Sequence, residues 1–214
     1  MLAPMMKLRP VIRQTSGETP LALADILEDG VNLALWQRQL PLHIVEFGQL
    51  LISLNEPLAE SLVIELNSEN AEPDLQGLAS RCRDLEGYDG FIADVSWLVS
   101  AFACLLGAKR IGVRLRLLDK AMCPRFHVDH VPVRLITTYA GIGSQWLREG
   151  VMDRRHLGQT SAEPEDGIEQ VRCGEVVLLK GEKWHGNEGF GLIHRSPQLN
   201  ANERRLILTL DWLA

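Results

Sequence analysis

No stretch of the 214-residue chain approaches the roughly 18 uninterrupted apolar residues of a membrane helix. The longest apolar run, 95–107, is broken early by Ser96 and Ser100. The first residues carry Pro4, Lys7 and Arg9 but no apolar block followed by a cleavage site. The expectation is therefore no signal peptide, no membrane partner and a cytoplasmic location. Cysteine is scarce: there are 4, at positions 82, 104, 123 and 173, and no two lie at the C-x-x-C spacing of a zinc site. They read as free thiols in a reducing compartment. There is no internal repeat and no low-complexity segment. With 46% hydrophobic and 23% charged residues, long disorder, collagen-like and coiled-coil architectures are excluded. An excess of positive charge is missing too, since the formal net charge is -6. Residues 1–109 hold 7 Lys/Arg against 15 Asp/Glu, and residues 110–214 hold 15 against 13. So acidic a first half argues against non-specific nucleic-acid binding. The surplus of arginine in the second half suits a small anionic ligand.

What is present divides into two parts. In residues 1–109, Leu40, Ile44, Phe47, Leu51 and Leu54 recur at helical spacing after a short strand-like run at 31–36. Leu75, Leu78, Cys82 and Leu85 form a second stripe. Phe91, Val95, Leu98, Phe102 and Leu105 form a third, which ends at Gly107, a helix C-cap. These are core-facing stripes, and His43 on the flank of the first is a structural or exposed residue. From Arg110 the period becomes two: Ile111, Val113, Leu115 and Leu117 alternate with more polar neighbours. Short strand-like runs follow at 125–130, 133–139, 145–147, 167–172, 176–180, 191–194 and 204–212, separated by Gly, Pro and Asn clusters. About eight short strands without intervening helices predict a sandwich, barrel or jelly roll. The expected class is α+β, with a mainly helical region at 1–109 packed on one sheet of a β-rich core at 110–214, the two forming one integrated domain.

Chemistry concentrates in the second part. His127 and Asp129 are two apart, so on a strand both point to the same side and can reach one metal ion. The pair is a weak signal alone, but His194 ends a strand-like run 65 residues after Asp129. Two histidines and a carboxylate cover one face of an octahedral ion and leave three positions open, as in non-haem Fe(II) oxygenases. Arg204 and Arg205 lie 10 and 11 residues beyond His194. An arginine there can hold the far carboxylate of a 2-oxo diacid through two parallel bonds.

The stretch "FHVDHVPVRLITTYAGIGSQWL", followed by "GEVVLLKGEKWHGNEGFGLIHRSPQLNANERRLILTLDW", resembles the core of the Fe(II)/2-oxoglutarate-dependent oxygenase superfamily. The likeness covers roughly residues 110–214. It implies a double-stranded β-helix (a cupin-like jelly roll). It implies His127, Asp129 and His194 as metal ligands, and Arg204 or Arg205 as anchor of 2-oxoglutarate. The activity it implies is oxidation of a second substrate with release of succinate and CO₂. That superfamily often carries a polar residue two positions after the arginine, where this chain has Leu206 or Ile207. Over its whole length the chain also resembles a bacterial family, domain-of-unknown-function family 1826, through segments such as "HRSP" and "RRLILTLD". Members of that family tend to be encoded beside zinc-homeostasis GTPases. This implies an alternative, a non-enzymatic zinc-binding protein on the same fold, since two histidines and an aspartate also accept Zn²⁺. A third reading is a partner-binding scaffold with an empty barrel.

Other polar residues are weaker candidates. His185 competes with His194 as distal ligand but sits in a glycine-rich loop. His130 has the wrong parity to join His127, and His156 lies in a surface turn. Tyr139 is a candidate to hydrogen-bond the bound co-substrate, or else a buried packing residue. Arg134 either faces the pocket or pairs with an acid. Trp146, Trp184 and Trp212 are packing residues. In the last strand one face reads Arg204, Leu206, Leu208, Leu210 and the other Arg205, Ile207, Thr209, Asp211. The leucine face suits packing against helices and the mixed face suits a polar cavity, which favours Arg205 as the anchor.

Overall fold

A computed structural model describes residues 11–67, 71–159 and 163–213. The elements run β1 (Arg13–Gly17), a 3₁₀ turn (Pro20–Leu27), β2 (Val31–Trp36), α1 (Leu42–Leu54), β3 (Ala59–Glu65), α2 (Tyr88–Leu106), β4 (Arg110–Leu118), β5 (Val133–Ala140), β6 (Gln145–Leu147), β7 (Ile168–Gln170), β8 (Val176–Lys180), β9 (His194–Arg195) and β10 (Arg205–Leu213). Seven strands form a large sheet in the order β1-β2-β8-β5-β10-β4-β3, and three form a small one, β7-β6-β9. All neighbours in the large sheet are antiparallel except β1 and β2.

Alternation along the large sheet's strands sorts its residues into two cores. On one face Leu206, Leu208 and Leu210 of β10, with Leu135 of β5 and Leu178 of β8, pack against Phe47 of α1 and Phe91 and Leu98 of α2. On the other face Ile207, Ile136, Val177 and Leu33 meet Val171 and Leu192, which flank strands of the small sheet. The site lies between the two sheets, and the helices lie behind the large one. α2 is long and apolar enough to cross a membrane by length and composition. Its Phe91, Val95, Leu98, Val99, Phe102 and Leu106 are nevertheless buried, five of them at 0–2% exposure, which fits a core helix. Gly107 ends it in the left-handed conformation (φ 62°), as the sequence predicts.

Three sequence expectations change. The region 1–109 is not only a helical backing: β1, β2 and β3 extend the large sheet at both edges. The stripe Leu75–Leu85 is not a helix. Gly77 (φ 103°) and Ala79 (φ 49°) force turns, and only a short 3₁₀ segment, Ser80–Cys82, forms. Residues 125–130 form no strand; a single antiparallel bridge joins His127 to His194.

Candidate metal centre

That bridge assembles the site. The His127 N–H donates to the His194 carbonyl and the His194 N–H to the His127 carbonyl, both at 3.0 Å. The two imidazoles therefore lie side by side, with centroids 4.6 Å apart. Asp129 reaches the same place from two residues along the loop. One ligand atom from each of His127, Asp129 and His194 lies within 4.8 Å of the others. His127 Nε2 is 3.6 Å from Asp129 Oδ1, and His194 Nε2 is 3.4 Å from Asp129 Oδ2. Donors about 2.1 Å from one ion and at right angles to each other are ~3.0 Å apart, so a small contraction seats a divalent ion.

The surroundings prepare these donors for a cation. His127 turns Nδ1 to the Arg125 carbonyl at 2.9 Å, and His194 turns Nδ1 to the Leu192 carbonyl at 3.0 Å. With the protons on Nδ1, both Nε2 lone pairs would be open to a cation, whereas in the protonated rings Nε2–H points at Asp129 as a donor. The hydrogen bond with Asp129 raises the His127 pKa against the opposing effect of burial. Burial pushes the Asp129 carboxyl up, but hydrogen bonds from both histidines and the Arg134 guanidinium outweigh it and hold the group well below the usual carboxylate range. Arg134 Nη1 donates to Asp129 Oδ2 at 2.7 Å. Its Nε and Nη2 grip Asp211 of β10 at 2.6 and 3.1 Å, and Arg114 Nη1 lies 2.9 Å from Asp211 Oδ2. Sequence reading left Arg134 open between pocket and acid. It does both: it lines the cavity and ties the Asp129 carboxylate to the large sheet. The pairing with Asp211 was not legible, because it depends on the β5–β10 register across 77 residues.

A cavity of about 310 Å³ opens beside His127 and His194, with Ile136, Ser144, Ile207 and Thr209 in its wall. Behind Ser144 lies Arg205, which is fully buried. Its Nη2 donates to Ser144 Oγ at 3.0 Å and Thr138 Oγ1 at 3.3 Å, while Nε and Nη1 find no partner. No acidic group lies within ion-pair distance among the described residues, and burial pushes the guanidinium pKa down to about 10. A buried cation without a counter-ion is costly unless an anion is meant to join it. Arg204 precedes β10, half-exposed, on the opposite parity.

Tyr139 is not at the site. It shares parity with Val133 and Leu135, so it points to the helix face, where it is fully buried and packs edge-on against Phe91 at 4.7 Å. Its hydroxyl donates to Asp94 Oδ2 at 2.6 Å, and Arg38 grips the same Asp94 carboxylate through both terminal nitrogens. Its expected role in co-substrate binding is withdrawn on that ground. His130 and His185 are exposed on a separate surface groove beside Trp184 and Trp212, away from the triad. His156 is exposed in the 3₁₀ turn Arg154–His156.

Among solved structures, the chain is similar to a bsmA homolog from Methylobium petroleophilum PM1, with a TM-score of 0.53 and 13% identity over 94% of this chain and 95% of that one. It also aligns with a prolyl-4-hydroxylase from Pseudomonas putida (TM-score 0.46, 15% identity, 89% and 96% of the two chains). A third match is an oxidoreductase of the 2OG-Fe(II) oxygenase family from Burkholderia pseudomallei (TM-score 0.41, 12% identity, 94% and 96%). No curated protein matches the sequence. The family profile described as a protein of unknown function, DUF1826, matches residues 17–211, and the chain belongs to that family.

Proposed function

We propose that the protein is a non-haem Fe(II)/2-oxoglutarate-dependent dioxygenase on a double-stranded β-helix. His127, Asp129 and His194 are its metal ligands, and Arg205 anchors the far carboxylate of 2-oxoglutarate. The observation that carries this reading is the donor triad beside a cavity whose Ser144 wall is backed by a fully buried guanidinium with no acid within ion-pair distance among the described residues. Metal storage alone needs the triad but gives no reason for the enclosed cation. A carboxylate relieves its desolvation, and the unpartnered Nε and Nη1 leave donors free to meet it.

Fe(II) held by the triad would supply the O₂-dependent oxidative decarboxylation of 2-oxoglutarate to succinate and CO₂, one oxygen atom going to succinate and the other serving to oxidise a second substrate. The chain's residues do the positioning. Arg134 keeps the Asp129 carboxylate ionised and aimed. The Arg125 and Leu192 carbonyls fix the imidazole tautomers. Ile207 offers no hydroxyl two positions beyond Arg205, but Thr138 and Ser144 orient the guanidinium instead. Ile136, Leu118 and Ile207 supply the apolar part of the cavity wall.

The test is succinate formation by the purified chain with Fe(II), ascorbate, O₂ and 2-oxoglutarate. Slow turnover that vanishes in Asp129→Ala is expected. Iron-loaded protein giving no succinate above the enzyme-free control refutes the reading. It leaves the non-enzymatic Zn²⁺-binding protein, for which the same three donors suffice.

A further inference from the structure

Arg114, Arg116, Arg134 and Arg195 all line the cavity, and Arg205 lies behind its Ser144 wall. Three carboxylates answer these five cations: Asp129 pairs with Arg134, Asp211 with both Arg134 and Arg114, and Glu163 with Arg195. Arg116 has no acid within ion-pair distance among the described residues. Its terminal nitrogens donate instead to the Glu60 and Leu115 carbonyls and the Ser61 hydroxyl. A divalent ion on the triad adds two positive charges and 2-oxoglutarate removes two, so the occupied cavity would still carry an excess of two.

The placement of that excess is specific. Arg114 and Arg116 stand opposite Thr209 and Ile207 in the β4–β10 register, so their side chains emerge on the face that carries Arg205. Two residues apart on one strand face, their stems are about 6.8 Å apart. Arg116 is half-buried in the wall and Arg114 stands exposed toward solvent. A guanidinium pair of this spacing suits a doubly charged group or two carboxylates. The cavity of about 310 Å³ is at the low end for small-molecule sites, which excludes a bulky occupant once 2-oxoglutarate is inside.

We infer that the second substrate is a small anion whose carboxylate or phosphate is held by Arg116 and Arg114 at the outer wall of the cavity, an inference that rests on the oxygenase reading of the same site. The two arginines are binding residues for this anion, and the field they set up also draws anions inward.

Calorimetric titration tests this on the full chain loaded with Mn(II) and saturated with 2-oxoglutarate. The probes are phenyl phosphate, isophthalate and, as neutral control, benzamide. At least one anion should bind tenfold or more tightly than benzamide, and which one binds separates phosphate from carboxylate recognition. Arg116→Gln should weaken that anion at least tenfold, Arg116→Lys should restore part of the loss, and Arg13→Ala, at a distant exposed pair, should change nothing. If Arg116→Gln does not fold, Arg114→Gln and Arg116→Lys carry the same comparison. Anions binding no better than benzamide overturn the inference. So does an affinity that ignores Arg114 and Arg116 but collapses in Arg205→Ala, because the probe then sits in the co-substrate's place. A wild-type chain that fails to bind 2-oxoglutarate yet binds the anion through Arg116 removes the oxygenase reading and keeps the anion site.

Discussion

Replacing Arg205 by methionine should raise the stability of the ligand-free protein while removing its response to 2-oxoglutarate. The wild-type guanidinium is fully buried and its pKa falls from 12.5 to about 10 through desolvation. That fall corresponds to a penalty of about 3 kcal/mol on the charged form in the folded state. For a base whose folded pKa is lowered, the penalty is fully present below about pH 10 and fades only above it, so it acts in full at neutral pH. Methionine keeps an unbranched, flexible apolar stem that fills much of the space and removes the charge. The lost hydrogen bonds to Ser144 and Thr138 return about 1 kcal/mol each. The net gain is about 1 kcal/mol, or roughly 2–4 °C in Tm for a chain of this size. Ligand response moves the other way. Loss of a two-pronged charged contact in a desolvated pocket costs about 2–5 kcal/mol, roughly 30- to 5,000-fold in affinity. With Mn(II) bound and 2-oxoglutarate at a hundred times its Kd, the wild type should gain about 2.7 kcal/mol, seen as a rise of several degrees. Arg205→Met should gain nothing at the same concentration. Thermal melts of both proteins, with and without the two ligands, decide it. A variant that melts several degrees lower without ligand, beside a wild type that 2-oxoglutarate does not stabilise, would show that Arg205 is a packing residue and refute the argument.

Four further outcomes are expected. His127→Ala and His194→Ala should each lose the visible absorption of bound Co(II), while His130→Ala and His185→Ala should titrate like the wild type. Arg134→Met should weaken Co(II) binding about 10- to 100-fold, and should lower unfolding free energy in urea by about 3–5 kcal/mol, because Asp129 and Asp211 are left without their shared cation. Tyr139→Phe should cost about 1–2 kcal/mol by removing the donor to Asp94, yet leave calorimetric 2-oxoglutarate affinity unchanged, since the ring faces the helices. Gly141→Ala should be strongly destabilising by thermal melt: φ is 82°, and a new Cβ would stand 2.1 Å from the Arg204 carbonyl oxygen and 2.9 Å from the Arg205 Cα.

The last strand was legible because its two faces differ in kind. An unbroken leucine face has only one sensible destination, the helices, and this alone turns Arg205, Ile207, Thr209 and Asp211 toward the space between the sheets. The candidate donors that the structure brings together were legible from type and spacing, although the strand expected for His127 and Asp129 does not exist; one two-bond bridge to His194 does the same aligning work. The same alternation, applied to β5, places Tyr139 with Leu135 and away from the site, as the packing alternative for this residue requires. Long-range pairing left no local trace. β3 has one buried residue in seven and β1 none, so nothing in their sequences says that they edge the large sheet. The link from Asp129 through Arg134 to Asp211 required two registers and a loop to be known at once.

That link also explains how the site is held together. His194 sits on the small sheet, and His127 and Asp129 sit in the loop before β5. The side chains of the triad are tied to the large sheet through Arg134, whose other end is locked on the central strand β10 between β4 and β5, and the backbone adds the Leu192 N–H on the Lys180 carbonyl of β8 and the Glu182 N–H on the Asp129 carbonyl, both at 2.9 Å. An ion held by all three donors would therefore join the small sheet to the large one as well as completing the site. Its binding energy would add to the cohesion of the inter-sheet core formed by Ile136, Val177, Leu192 and Ile207. Metal removal should accordingly loosen this layer first. Hydrogen exchange should rise at the His127–His194 bridge and in β6 on chelation, while the leucine face of β10, packed against α1 and α2, keeps its protection. Uniform loss of protection across both cores would mean instead that the two sheets and the helices behave as one cooperative unit.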